Sequence, residues 1–126
     1  MPATADLIEN GHILKYVVTE PWSMDDIYHI TRQGKQVYDT SPHRIHLLAD
    51  VTGIRKVPPG FLSVRHVPDL NHPNSGHIAL VGAEGLFKLM VELVARFFPP
   101  EKVGYYNSEE EALAHIRSLI DAEGEP

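Results

Sequence analysis

Ile45-His46-Leu47-Leu48-Ala49-Asp50-Val51-Thr52-Gly53-Ile54, continued by Arg55-Lys56-Val57-Pro58-Pro59-Gly60-Phe61-Leu62, is the stretch whose reading decides the fold. A short apolar run that ends in Asp, Thr and Gly reads as a buried strand delivering a loop. Patterned segments lie on both sides of it, which places this strand centrally in a sheet.

Upstream, Leu7-Ile8-Glu9 and His12 to Thr19 flank Asn10-Gly11. That pair is the signal of a two-residue hairpin, since a type I′ turn needs positive φ at both positions. Pro21 stops the second arm. Ser23 with Asp26 resembles a capping box, and Met24, Ile27, Ile30, Gly34 and Val37 follow at helical spacing, predicting a helix over 23–40. Gly34 falls on its apolar stripe, so the helix backbone is expected close against the sheet there.

Downstream, residues 58–76 are rich in turn formers, with a short helix expected near 60–67. His77 to Gly82 reads as a second buried strand, 84–98 as a strong helix closed by Pro99-Pro100, and Lys102 to Tyr106 as a short last strand with one ring of Tyr105-Tyr106 buried and one exposed. Ser108 and Glu111 form a capping box for a final helix over 108–120. Strands alternating with helices give an α/β domain: a mixed, mostly parallel five-stranded sheet covered on both faces, with the hairpin as its antiparallel edge. Leu47, Leu80, Val81, Ile27, Ile30, Met90 and Ile116 are the expected core.

The length of 126 residues, 43% of them hydrophobic, suits a single domain spanning 1–126 with its core at about 6–120. Seventeen acidic residues against 11 basic give a net charge of −6, which repels a phosphate backbone and argues against nucleic-acid binding. The chain has no cysteine, so disulfides and thiol chemistry are excluded. Neither a signal sequence nor an apolar run near the ~20 residues of a membrane helix is legible, and a cytoplasmic protein is expected.

The element order, with Leu48-Ala49-Asp50-Val51-Thr52-Gly53 at the central strand, His72-Pro73-Asn74 before Ile78-Ala79-Leu80-Val81-Gly82, and Ser108-Glu109-Glu110-Glu111-Ala112-Leu113, resembles the STAS domains. It looks closest to the SpoIIAA-like branch, which is grouped with CRAL-TRIO lipid-transfer domains. The resemblance implies the anti-sigma-factor-antagonist fold and a non-enzymatic regulatory or protein-interaction module. In bacterial antagonists the loop after the central strand carries Asp-Ser-Ser-Gly, and one serine is phosphorylated by a partner kinase. Here the corresponding residues are Pro58-Pro59-Gly60-Phe61, so the switch is not expected to carry over. The CRAL-TRIO connection implies the alternative, a binder of small apolar or lipid-like ligands.

Candidate site residues follow from position. Ligand or partner contacts are expected at loops on the C-terminal ends of the parallel strands: Asp50, Thr52, Gly53, Gly82 and Ala83. Asp50 equally suits a cap for its own loop, the reading preferred here. Thr52 is expected to hydrogen-bond the local backbone. Gly82-Ala83-Glu84-Gly85 lacks the glycines of a phosphate loop and reads as a tight strand-to-helix turn. His66, His72 and His77 near Asp69 match no metal-ligand spacing and are read as loop histidines and turn caps. No nucleophile elbow or triad spacing stands out, and neither a catalytic residue, a metal nor a cofactor is expected. The helix at 84–98 carries two apolar stripes, Leu86/Met90/Leu93/Phe97 and Phe87/Val91/Val94/Phe98, spanning roughly 200° against the ~100° a surface helix needs. The surplus predicts a homodimer with Phe87, Val91 or Phe98 in its contact.

Overall fold

The structure, a computed structural model, describes residues 2–124. Strands β1 (Ala3–Ile8), β2 (Ile13–Val18), β3 (Ile45–Asp50), β4 (Ser75–Val81) and β5 (Val103–Tyr106) form one sheet in the order β1-β2-β3-β4-β5. β1 is antiparallel to β2, and every other neighbouring pair is parallel. The stretch 45–50 is the central strand, as its neighbours in the sequence implied. Helices α1 (Met24–Thr40), α2 (Gly85–Ala95) and α3 (Glu109–Glu123) join the strands or follow them, and a 3-10 helix at Phe61–His66 lies between β3 and β4. Among the described residues no helix is long and apolar enough to cross a membrane.

The monotonic strand order decides where the helices go. α1, the 3-10 helix and α2 all pack on one face, with Ile30, Tyr38, Phe61, Phe87, Val91 and Val94 over Leu14, Tyr16, Leu47, Ala49, Ile78 and Leu80. α3, coming after the last strand, covers the other face, with Ala112 and Ile116 against Ile13, Leu48, Ala79 and Val81. With both faces covered, all five residues from Ile45 to Ala49 are buried, which is why β3 reads as a continuous apolar run.

Both helix starts lie where expected, α1 with a full capping box and α3 with the Ser108 side-chain cap alone, Glu111 reaching back to the Asn107 N–H instead. The Asp26 carboxylate accepts from the Ser23 N–H at 2.8 Å, and the Glu111 N–H donates to the Ser108 hydroxyl at 3.2 Å. Leu47, Leu80, Val81, Ile30 and Ile116 are buried, while Ile27 and Met90 are only partly covered, lying at the margin of the helical layer.

Three expectations are corrected. The β1–β2 connection is not a two-residue turn. Ile8 pairs with Ile13, leaving Glu9 to His12 as the link, and Glu9, Asn10 and Gly11 all take positive φ, at 53°, 57° and 86°. Within this link the Glu9 carboxylate accepts from Arg117 of α3 at 2.6 Å, and His12 stacks on His43 at 4.1 Å. Tyr105 and Tyr106 are not one buried and one exposed ring: both are half-buried, on opposite faces of an edge strand. On α2 the stripe meant for a partner faces inward instead. Phe87 is buried against Phe61 and Trp22, Val91 is buried in the same core, and the outward row is Leu86, Leu89 and Leu93, 62%, 60% and 40% exposed. The helix ends at Ala95, short of the expected 98, so that Phe97, 63% exposed, and half-buried Phe98 lie in the turn after it.

Gly34 sits where α1 crosses the sheet. A Cβ there would overlap the Tyr16 hydroxyl and stand 3.2 Å from Leu14 Cδ2. An Ala for Gly change inside a helix normally stabilises by ~1 kcal/mol, but overpacking a tight contact costs ~1–3 kcal/mol. Gly34→Ala is therefore expected to lower the urea midpoint, and a raised midpoint would contradict this packing.

Candidate functional site

At the C-terminal ends of the parallel strands, the chain leaves β3 through a β-turn. The Ile54 N–H donates to the Val51 carbonyl at 3.1 Å, and Gly53 supplies the φ of 86° that a type II turn requires at its third position. Asp50 caps this turn, its Oδ1 accepting from the Thr52 N–H at 3.0 Å. The Thr52 side chain lies against Gly82, where a Cβ would overlap the hydroxyl. Gly82 in turn has a φ of 78°, which lets the chain leave β4 beside it.

A cleft of about 270 Å³ opens between these turns, lined by Gly53, Ile54, Arg55, Gly82, Glu84 and Gly85 together with the first leucine of α2. Thr52, Gly53 and Gly82 are thus brought together as the sequence suggested. Ala83 instead packs at the margin of the core, and the Asp50 carboxylate is engaged by its own turn. The segment Pro58-Pro59-Gly60-Phe61 carries no hydroxyl. The next hydroxyl, Ser63, donates to the Gly60 carbonyl at 2.7 Å and lies 2.7 Å from the Tyr28 hydroxyl.

Beneath α1 and α2 an apolar cavity of about 130 Å³ is lined by Val18, Ile30, Leu47, Leu80, Phe87 and Val91, among others. Tyr16 forms part of its wall and donates its hydroxyl to Asp69 Oδ2 at 2.6 Å. The second Asp69 oxygen accepts from the Leu70 N–H at 2.9 Å. Asp69 is wholly inaccessible, and desolvation pushes its carboxyl up to about 6 against the pull of the Tyr16 and Leu70 hydrogen bonds. Burial, reinforced by the Asp69 charge, drives the Tyr16 phenol up as well.

Asp69 was missed at the level of sequence because it lies in a loop of turn formers, where carboxylates are usually solvated. The local signal is Gly34, whose missing side chain makes room for the Tyr16 hydroxyl. The neighbouring histidines do not converge on Asp69. His66 is exposed, and His72 accepts from the Asn74 N–H at 3.0 Å and pairs with Asp39 at 2.8 Å. Among the described residues no three His, Cys, Asp or Glu groups are placed to hold a metal ion.

His77 is not a loop histidine; it lies on β4, half-buried, beside a bulge that sequence reasoning did not anticipate. The register shifts between Ile45/Ser75 and Leu47/Ile78, so Gly76 and His77 lie opposite His46 alone. The His46 ring repairs the ladder: the His77 N–H donates to its Nδ1 at 2.9 Å. Because Nδ1 accepts, Nε2 carries the proton and donates to Glu123 at 2.9 Å. His77 Nδ1 must donate to the Glu101 carbonyl at 3.0 Å, so its Nε2 accepts from the Tyr106 hydroxyl at 2.9 Å. Both rings are neutral, and burial is the leading cause lowering both from the usual histidine range.

These groups pull stability in opposite directions with pH. Asp69, raised from 3.8 to about 6, contributes stability that is complete below 3.8 and lost as pH rises through 6. His46 and His77, lowered from 6.5, contribute stability that is complete above 6.5 and lost as pH falls through their folded values. Asp69→Asn, which keeps an acceptor for Tyr16, is expected to gain on the parent as pH rises from below 3.8 to 8, by at most ~3 kcal/mol in all. The difference between the two denaturation curves cancels the histidine contribution, and a difference that does not grow with pH would contradict the buried carboxyl.

The SpoIIAA-like family model matches residues 13–117, from the start of β2 to the middle of α3. No curated protein matches the chain. Since the matched span holds the whole parallel sheet and its crossovers, the chain belongs to the SpoIIAA-like family.

Proposed function

We propose that this chain is a non-enzymatic, cytoplasmic regulatory module that engages a protein partner through Asp50, Thr52, Gly53, Gly82 and Ala83, without the phosphoacceptor of its family. A SpoIIAA-like domain is in general a STAS-type regulatory or interaction module. The observation that carries the specific reading is the loop between β3 and the 3-10 helix, where Pro58-Pro59-Gly60-Phe61 offers no hydroxyl and Ser63 is engaged with Gly60 and Tyr28. Incubation with antagonist-type kinases followed by phosphosite mapping is expected to find no phosphate on residues 52–63. Stoichiometric modification of Thr52 or Ser63 would sink the reading.

A second reading, the small apolar ligand, is favoured by the cavity under α1 and α2. Its volume of about 130 Å³ is close to the ~150 Å³ of an engineered apolar cavity that stays dry and takes up benzene. That size suits one small apolar molecule and not a lipid tail. Benzene added to methyl-labelled protein is expected to shift the Leu80 and Val91 methyls saturably; unchanged methyl signals at saturating benzene would remove this reading.

Homodimer formation is proposed through the outward row of α2 in place of the inward residues first expected. Leu86, Leu89 and Leu93 of α2, with Phe97 in the turn after it, are four large apolar side chains each at least 40% exposed, and a two-fold axis lets such a patch cover itself. Sedimentation is expected to show a dimer that Leu89→Glu converts to monomer. A monomer at high micromolar concentration would rule the dimer out.

A further inference from the structure

At the opposite end of the sheet, a cleft of roughly 440 Å³ lies between the starts of β3 and β4, the segment before β5, and α3; Arg44, Ser75, His77, Lys102, His115 and Glu123 are among its walls. We propose that it is a binding site for a small oxyanion, a phosphoryl or carboxylate group held between Arg44 and Lys102.

Lys102 is half-buried, and its ammonium donates to the Ser75 carbonyl at 2.7 Å and the Ser75 hydroxyl at 3.0 Å. An ammonium has three N–H donors, so one remains for a ligand. Neither Lys102 nor Arg44 forms an ion pair among the described residues, whereas Lys15, Lys35 and Arg117 are each paired with a carboxylate elsewhere. Lysines withdrawn from water are ordinarily paired. Here the nearest strong influence is a like charge: burial first, and then the Arg44 guanidinium, disfavour the charged form of Lys102. Two unpaired cations facing one cleft repel each other, and an oxyanion between them would relieve both.

Two carboxylates also line the cleft, and neither forms an ion pair with Arg44 or Lys102 among the described residues: Glu123 accepts from neutral His46 at 2.9 Å, and Glu101 is exposed at the rim, its main-chain carbonyl accepting from His77. His46 and His77 are neutral, with both ring nitrogens of each committed. The His115 ring accepts and donates nothing among the described hydrogen bonds and stands 5.0 Å from the His77 ring, leaving a third donor at the cleft. Gly76 allows this convergence. A Cβ there would overlap His46 Nδ1 and come within 3.0 Å of Arg44 Cδ, so the arginine stem lies directly across the bare backbone of the bulge.

The test uses the full chain labelled with ¹⁵N, titrated at constant ionic strength with inorganic phosphate, with glycerol 3-phosphate and with acetate, against a sodium chloride control. Saturable shifts are expected at the amides of Gly76, His77 and Val103, with affinity at least tenfold weaker in Arg44→Ala. Saturation by the two phosphates alone assigns a phosphoryl ligand, and saturation by acetate as well assigns any oxyanion. Glycerol 3-phosphate binding more tightly than free phosphate points to an ester-borne group. Shifts reproduced by chloride, no saturation with any of the three, or an Arg44→Ala variant that titrates like the parent would overturn the site. Lys102→Met provides a second check. Since Arg44 is exposed, its variant decides the matter even if removing Lys102 impairs folding.

Discussion

The hydrogen bond from Tyr16 to Asp69 holds together three parts of the chain that are far apart in sequence. Tyr16 stands on β2, Asp69 comes from the loop before β4, and both lie under Gly34 of α1. A carboxyl withdrawn from water costs several kcal/mol unless its oxygens are satisfied, and here both are. The phenol supplies a charge-assisted donor and the Leu70 amide supplies the other. The arrangement is possible because α1 carries no side chain at its crossing point. A residue that looks like a weak spot in a helix is therefore what allows a loop carboxyl to reach the sheet and anchor the 3-10 segment over the core.

The order of the strands imposes the second constraint. With β2 to β5 added in sequence, all three parallel connections return over one face, and only α3 is left for the other. The crowded face has three elements to fit over five strands and leaves a small apolar void between them. The sparse face is closed by one apolar stripe, Ala112 and Ile116, and turns polar at its edges. Lys15 pairs with Glu109 on one side, while His46 and His77 lie toward the start of the parallel strands, His77 met there by the Tyr106 hydroxyl. Cavity and polar cleft are thus two consequences of the same topology.

How much of this was legible follows from the range of the interactions involved. β3, β4, α1 and α3 could be read because their signals are local: a run buried on both faces, a 3.6-residue period, and a capping box. The four-residue link after β1 could not, since the contacts it makes are with residues far off in the chain, Glu9 with Arg117, 108 positions away, and His12 with His43. The choice between the two stripes of α2 was equally hidden, because periodicity gives the width of an apolar arc and not its direction. Phe61 and Trp22 settle it by giving Phe87 an aromatic pocket. At the candidate site, the turn residues Asp50, Gly53 and Gly82 were legible from their types. Asp69 and the His46 bulge were not, since one depends on a missing side chain in α1 and the other on a shifted register.

The two ends of the sheet offer different chemistry for reasons that lie in the backbone. At the C-terminal end, the turns at Gly53 and Gly82 take positive φ and present main chain, with the Asp50 carboxylate spent on its own turn and one residue of each charge, Arg55 and Glu84, lining the cleft. Such a surface has shape and amide groups but little net charge. At the other end, the bulge at Gly76 takes one amide out of the ladder, and His46 must stay neutral to accept it. Neutral His46 donates through its other nitrogen to Glu123, across the cleft from the cations. Among the described residues Arg44 and Lys102 form no ion pair, in a chain whose net charge is −6. Most cations among those residues are equally unpaired. What sets Lys102 apart is that it is withdrawn from water beside a like charge, at the end of the sheet where the extra residue of β4 brings the Arg44 stem across the backbone.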